Sequence, residues 1–249
     1  MRVSKARRAR ARFALVVVAG GLGGAVGLAD EATAGVVTGK LELPAAPERP
    51  APATKGYLAR SENPYLPPQE VDPTPYMVVV LTGGTSEAKA PAEVVWELRG
   101  DSFAQPLLPV RAGSKVVVRN ASKRPVTLST VEDPSVLKNA VINPPASKEI
   151  KAPAAGAVLT VVDTERAHVR GSVVGFDAPY FVVPSASGAF EFPDVAPGKW
   201  TVRVWYRTGW LERADDTITV GSAKVEVKPK VPSGFPIAGA KAAAGAAAK

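Results

Sequence analysis

Residues 173–206, VVGFDAPYFVVPSASGAFEFPDVAPGKWTVRVWY, decide the fold. In the second half of this stretch Trp200, Val202, Val204 and Tyr206 alternate with Thr201, Arg203, Trp205 and, one step on, Arg207. A period of two belongs to an extended strand with one buried face. Ahead of it Phe190 and Phe192 share a face, and the segments 185–188 and 195–198 carry the glycine and proline that reverse a chain. Residues 179–183 and the pair Val173–Val174 extend the pattern backwards as further strands.

Outward from this stretch the same grammar continues. Residues 217–220 and 225–227 alternate and close the C-terminal set, and 232–249 is a tail of Gly, Ala and Lys too simple to pack. Upstream, 158–162 reads as a strand. Residues 103–120 give an apolar segment, an Ala-Gly turn and a strand with Val116 and Val118 on one face and Lys115, Val117 and Arg119 on the other. Residues 120–150, rich in proline and charge, read as a loop. Residues 94–98 form a strand, and Arg99-Gly100-Asp101 is a turn rather than an adhesion motif. Residues 76–81, YMVVVL, have the continuous β-branched character of a buried central strand. The nine prolines of 44–75 make a loop or wrapping arm, with a disordered linker as the alternative, and 36–43 is a first strand. Twenty-four prolines and 22 glycines spread through the chain leave few windows for a helix.

Residues 1–34 have a basic start, an apolar run and Ala32-Thr33-Ala34, the three parts of a cleaved export signal. An uncleaved anchor is the alternative, but the run is short and rich in glycine for a spanning helix, so no transmembrane span is expected after cleavage. The net charge of +8 sits at the ends: 1–34 holds six bases and two acids, 223–249 five lysines and one acid, leaving twenty of each between. A neutral body offers no basic field for nucleic acid. With no cysteine and one histidine, His168, disulfides, thiolate chemistry, Cys-ligated metals and His-rich metal sites are excluded.

The order of motifs from about Phe103 to Trp205 resembles the cupredoxin-like methylamine-utilisation family of bacterial periplasmic proteins. The C-terminal portion of that family looks like the carboxypeptidase regulatory β-sandwich. The residues that carry the likeness are Pro179-Tyr180-Phe181, Ser187-Gly188-Ala189-Phe190 and residues 197–205 (PGKWTVRVW), together with residues 112–120 (AGSKVVVRN). The resemblance implies an all-β chain: a Greek-key, cupredoxin-like sandwich over 76–172 adjoined by carboxypeptidase-regulatory-like strands over 173–231, with 35–75 as first strand and arm. It also implies copper ligands, an upstream histidine and then cysteine, histidine and methionine. Aligned on Pro179-Tyr180-Phe181, those positions fall near Val126 and on Asp163, Arg166 and Val169. None supplies the thiolate or imidazole that a blue-copper centre needs, so no metal or other cofactor is expected.

His168 near Asp163 and Glu165, without a nucleophile or second histidine, reads as a loop residue, and Asp215-Asp216 as a solvated turn rather than a calcium site. The remaining candidates are Arg203, Trp205, Arg207 and Trp210, as a ligand- or partner-binding group in which an exposed tryptophan beside arginine stacks on a sugar ring or a partner side chain. The alternative is that this face is buried between sheets. The expected protein is exported to the periplasm or secreted, and is a non-enzymatic binding or structural β-sandwich of the cell envelope. Its partner is an envelope protein or polysaccharide, and copper or electron transfer and carbohydrate binding stand as alternatives.

Overall fold

The computed structural model describes residues 34–44, 72–84, 91, 93–212 and 214–235. The export signal up to residue 33, the proline-rich arm over 45–71 and the tail beyond 235 lie outside the described residues. Strands β1 (Gly35–Lys40) and β2 (Met77–Thr82) come first. The chain enters β2 through a single 3-10 turn, Thr74–Tyr76, where the Asp72 carboxylate accepts from the Thr74 amide at 2.9 Å and its hydroxyl at 2.8 Å. Nine strands follow: β3 (Glu93–Arg99), β4 (Ser102–Phe103), β5 (Leu107–Arg111), β6 (Lys115–Asn120), β7 (Val126–Thr130), β8 (Ala140–Ile142), β9 (Ser147–Lys151), β10 (Val158–Asp163) and β11 (Arg170–Phe176). Then come β12 (Tyr180–Val182), β13 (Ala189–Val195), β14 (Gly198–Tyr206), β15 (Gly209–Trp210), β16 (Asp216–Val220) and β17 (Val225–Val227). The protein is all-β.

These strands build two sandwiches. In the first, the sheet β4-β3-β6-β9 faces the sheet β5-β11-β10-β7-β8. Trp96, Leu98, Val116, Val118 and Ile150 from one sheet meet Val110, Leu128, Val161 and Val173 from the other in one core. Trp96 stacks on Phe103 with ring centroids 3.9 Å apart, and Gly171 lies beneath the pair: a Cβ there would stand 2.5 Å from Trp96 and 2.8 Å from Phe103. The outward face of β3, β6 and β9 carries a charge ladder in which Lys115 meets Glu93 at 3.1 Å and Glu149 at 2.6 Å. Exposed pairs of this kind each contribute under about 1 kcal/mol, and they mark the face as solvated.

In the second sandwich, β13-β1-β17 faces β12-β2-β14, with β15 and β16 attached to β14. Val37, Phe190, Phe192 and Val227 interdigitate with Met77, Val79, Leu81, Trp200, Val202 and Val204. The two sandwiches share a third cluster. Val78, Val80 and Trp205, on the far face of the β2–β14 pair, pack on Leu107, Val174 and Phe176 of β5 and β11. Strand β2 is therefore buried on both faces, which is why its sequence is continuously apolar instead of alternating.

Two sequence expectations differ from this arrangement. The segment 120–150, read as a loop, contains β7, β8 and β9. Strand β7 does alternate, with Val126, Leu128 and Thr130 inward, but its outward residues and flanks are polar. Strand β9 is an edge strand with only Ile150 buried, so neither shows a strong period. The boundary placed between 172 and 173 falls inside β11, which pairs with β10 and β5. Residues 77–82, placed with the cupredoxin-like part, pair instead with β12 and β14. The β2–β14 pairing joins residues at least 119 positions apart, from Thr82 with Thr201 to Met77 with Tyr206, and local patterning carries no trace of it.

Candidate functional site

The β14–β15 hairpin brings the four predicted residues into one region but gives them different surroundings. Trp205 is 2% exposed and belongs to the cluster between the sandwiches. Its ring meets Phe176 edge to face at 5.6 Å and Trp210 at 5.2 Å, and its Nε1 donates to the Arg207 carbonyl at 3.0 Å. Of the two readings of this position, an exposed sugar-stacking tryptophan or one buried between sheets, burial holds, and Trp205 is corrected from a candidate ligand contact to a core residue. Strand β14 is covered on both faces, so its outward-alternating residue is buried too.

Trp210 is only partly buried. With Gly209 it forms the two-residue strand β15, in register with Trp205. The Arg203 guanidinium lies 4.2 Å from its ring centroid, a cation–π contact, and Asp215 holds that guanidinium by hydrogen bonds of 3.2 and 3.3 Å from Nε. Asp215 is therefore a positioning partner for Arg203, and Asp216 is exposed on β16. Trp210 forms one wall of an open cleft of about 380 Å³, with Phe176, Asp177, Pro179, Gly83 and Gly156 among the other walls. Aromatic faces, one carboxylate and glycine backbone suit a small ring or an extended segment better than a reacting centre.

Arg207 stands apart from the cleft. It follows β14 with φ of 51°, its amide donates to the Tyr76 carbonyl at 3.0 Å, and its guanidinium lies 4.9 Å from the Tyr76 ring centroid and 5.4 Å from that of Tyr206. Phe235 packs against Tyr206 with ring centroids 4.8 Å apart and the planes tilted by 32°. Tyr76 and Phe235 had no functional signal in the sequence, because the approach of 76, 206 and 235 depends on the β2–β14 pairing and on the chain's return after β17. The same holds for Phe176 and Pro179 in the cleft.

The positions implied for copper do come near one another, at one end of the first sandwich, but their donors do not fit the metal. Val126 and Val169 are buried valines with no lone pair to offer. Arg166 is a cation that donates from Nε and Nη2 to the Asp163 carboxylate at 3.1 and 2.7 Å and from Nη1 to Asp101 at 2.6 Å. Asp163, 2% exposed, also accepts from the amides of Glu165 at 2.9 Å and Arg166 at 3.3 Å. Its hydrogen bond raises the Arg166 pKa above the ordinary guanidinium value. Arg166 Nη2 further reaches the Pro125 carbonyl at 3.4 Å, next to Val126. The arrangement is an ion-pair clamp on three connections. His168 is exposed in the same loop, and the Arg99-Gly100-Asp101 segment is the β3–β4 turn, with Gly100 at φ 61°. Among the described residues, no three His, Cys, Asp or Glu side chains come together as metal ligands, and no helix is long and apolar enough to cross a membrane.

No family model matches the chain, and no curated protein matches it. Among solved structures, amicyanin from Paracoccus versutus aligns at 17% identity and a TM-score of 0.30, covering 38% of this chain and 96% of its own. A purple cupredoxin from Nitrosopumilus maritimus aligns at 14% identity and 0.29, covering 32% and 97%. A mutant fern plastocyanin aligns at 16% and 0.29, covering 33% and 99%.

Proposed function

We propose that this protein is an exported, non-enzymatic binding module of the cell envelope, acting in the periplasm or outside the cell, and that its ligand enters the cleft beside Trp210. The observation that carries this reading is the cleft itself. It opens beside the junction of two sandwiches, and its tryptophan is held in place by Arg203 and Asp215. Export rests on the three-part pattern of residues 1–34, and the envelope setting on the methylamine-utilisation and carboxypeptidase-regulatory resemblance of residues 103–205. A non-enzymatic role is supported by the chemistry available: the lone histidine is exposed, and the buried carboxylate Asp163 is committed to Arg166. The cationic segment that begins at Lys224 supplies attraction to anionic envelope polymers.

Carbohydrate is the ligand class best matched to a partly open indole beside a carboxylate. The test is a glycan array with the purified mature protein, followed by calorimetry on any hit. Trp210→Ala is expected to weaken a genuine hit at least tenfold while leaving the thermal midpoint within a few degrees. An undiminished affinity in that variant would remove the cleft as the binding site.

A further inference from the structure

Among the described residues, four that are not glycine adopt positive φ: Asn139, Asp194, Arg207 and Phe235, at 47°, 55°, 51° and 49°. Asn and Asp enter this region readily, because their short polar side chains bond the local backbone. Arginine and phenylalanine do not, and these two contact the same ring, that of Tyr206. Arg207 occupies the first of two residues linking the paired Tyr206 and Gly209, a tight-turn site where glycine meets the backbone requirement without a Cβ conflict. The structure holds it there from both sides: its amide donates to the Tyr76 carbonyl and its carbonyl accepts from Trp205 Nε1, each at 3.0 Å. Strain kept in place so firmly at an exposed residue points to a use for the side chain.

That side chain is available. Among the described residues Arg207 makes no ion pair, unlike Arg203 and Arg166, and the hydroxyls of Tyr76 and Tyr206 make no hydrogen bond. A planar guanidinium held over two tyrosine rings, with two open phenol hydroxyls beside it, is a set of groups for one kind of ligand. The fork takes a carboxylate through two parallel hydrogen bonds, the ring faces are taken up in holding the guanidinium, and the phenols take hydroxyl groups. We propose that Arg207, Tyr76 and Tyr206 form a subsite for the uronic-acid units of an acidic polysaccharide. A glutamate side chain offers the carboxylate but no hydroxyls for the two phenols, which is why the sugar acid is favoured over an acidic peptide. The subsite deepens the binding-module reading but is separate from the Trp210 cleft.

The test is calorimetric titration of the purified protein at low salt with oligogalacturonate, with neutral galactose oligomers, polyglutamate and inorganic phosphate as comparisons. Oligogalacturonate is expected to bind. Arg207→Gly is expected to weaken it at least tenfold with an unchanged or raised unfolding midpoint, because glycine relieves the turn. Arg207→Lys should weaken it severalfold, since an ammonium cannot fork, and Trp210→Ala should leave it unaltered. The proposal is overturned by no uronate binding by the unaltered protein, by uronate affinity that survives Arg207→Gly, by a lowered unfolding midpoint in that variant, or by polyglutamate or phosphate binding as tightly as the sugar acid. Loss of uronate binding in Trp210→Ala would move the ligand to the cleft, whereas loss of only a neutral glycan there bears on the cleft alone.

Discussion

Trp205 and Trp210 meet edge to face at 5.2 Å in one hairpin, yet only Trp210 has surface left for a ligand. Trp205→Ala should therefore act on stability and not primarily on binding, by about 3–5 kcal/mol, the usual range for removing a large buried aromatic. Urea unfolding followed by fluorescence checks it, and a loss below about 1 kcal/mol would contradict the packing described here. The Arg166–Asp163 clamp makes a second residue-scale case. Removing the guanidinium in Arg166→Met strands a carboxylate that is nearly fully buried, at a cost of about 3–5 kcal/mol, whereas replacing both partners with matched apolar residues should recover much of it. Acid sensitivity is also set residue by residue. A hydrogen bond from Arg99 lowers the Glu97 pKa, and the Ser135 hydroxyl does the same for Asp133. A carboxylate lowered on folding stabilises above its unfolded pKa, and that stabilisation fades as pH falls through the lowered folded value. In unfolding midpoints measured from pH 6 down to pH 2, Glu97→Gln should fall less steeply across that acid range than the unaltered protein.

At the scale of elements, β11 shows how one glycine sets a sandwich's thickness. Gly171 faces the stacked Trp96–Phe103 pair so closely that Gly171→Ala forces a rigid indole to move, for about 1–3 kcal/mol. Chemical denaturation should report that loss, and near-ultraviolet circular dichroism should show the changed environment of Trp96. The strands whose two faces differ in polarity were legible from their residues alone: β14, β16, the Phe190–Phe192 part of β13, and the Val116–Val118 part of β6. Strand β2 was legible for the opposite reason, because burial on both faces leaves a run of valines. Strands β7, β8 and β9 were not, since short or polar strands near a sheet edge bury too few side chains to impose a period.

At the scale of the whole molecule, Phe176 is the joint. It touches Phe181, Trp205 and Trp210 from its place on β11, so it ties the first sandwich to strands of the second. The described protein should unfold in one cooperative calorimetric transition. Phe176→Ala should lower the midpoint and split the transition in two, because each sandwich keeps its own core when the shared cluster is weakened. A single transition in the variant, at an unchanged temperature, would mean that the shared cluster does not couple them.

By itself the sequence determined that the chain is all-β, that its body carries no basic field, and that copper could not be bound at the positions the resemblance implies. Those conclusions follow from period, composition and donor chemistry, which are properties of residues in order. It also picked out Arg203, Trp205, Arg207 and Trp210 as a group. Only the tertiary structure separated them, into a core tryptophan, a cleft wall backed by its arginine, and an arginine strained over two tyrosines. The physical reason is that β14 lies between two sandwiches. Alternation along a strand tells which side chains share a face, but burial of that face depends on a partner sheet contributed by residues far away in the chain.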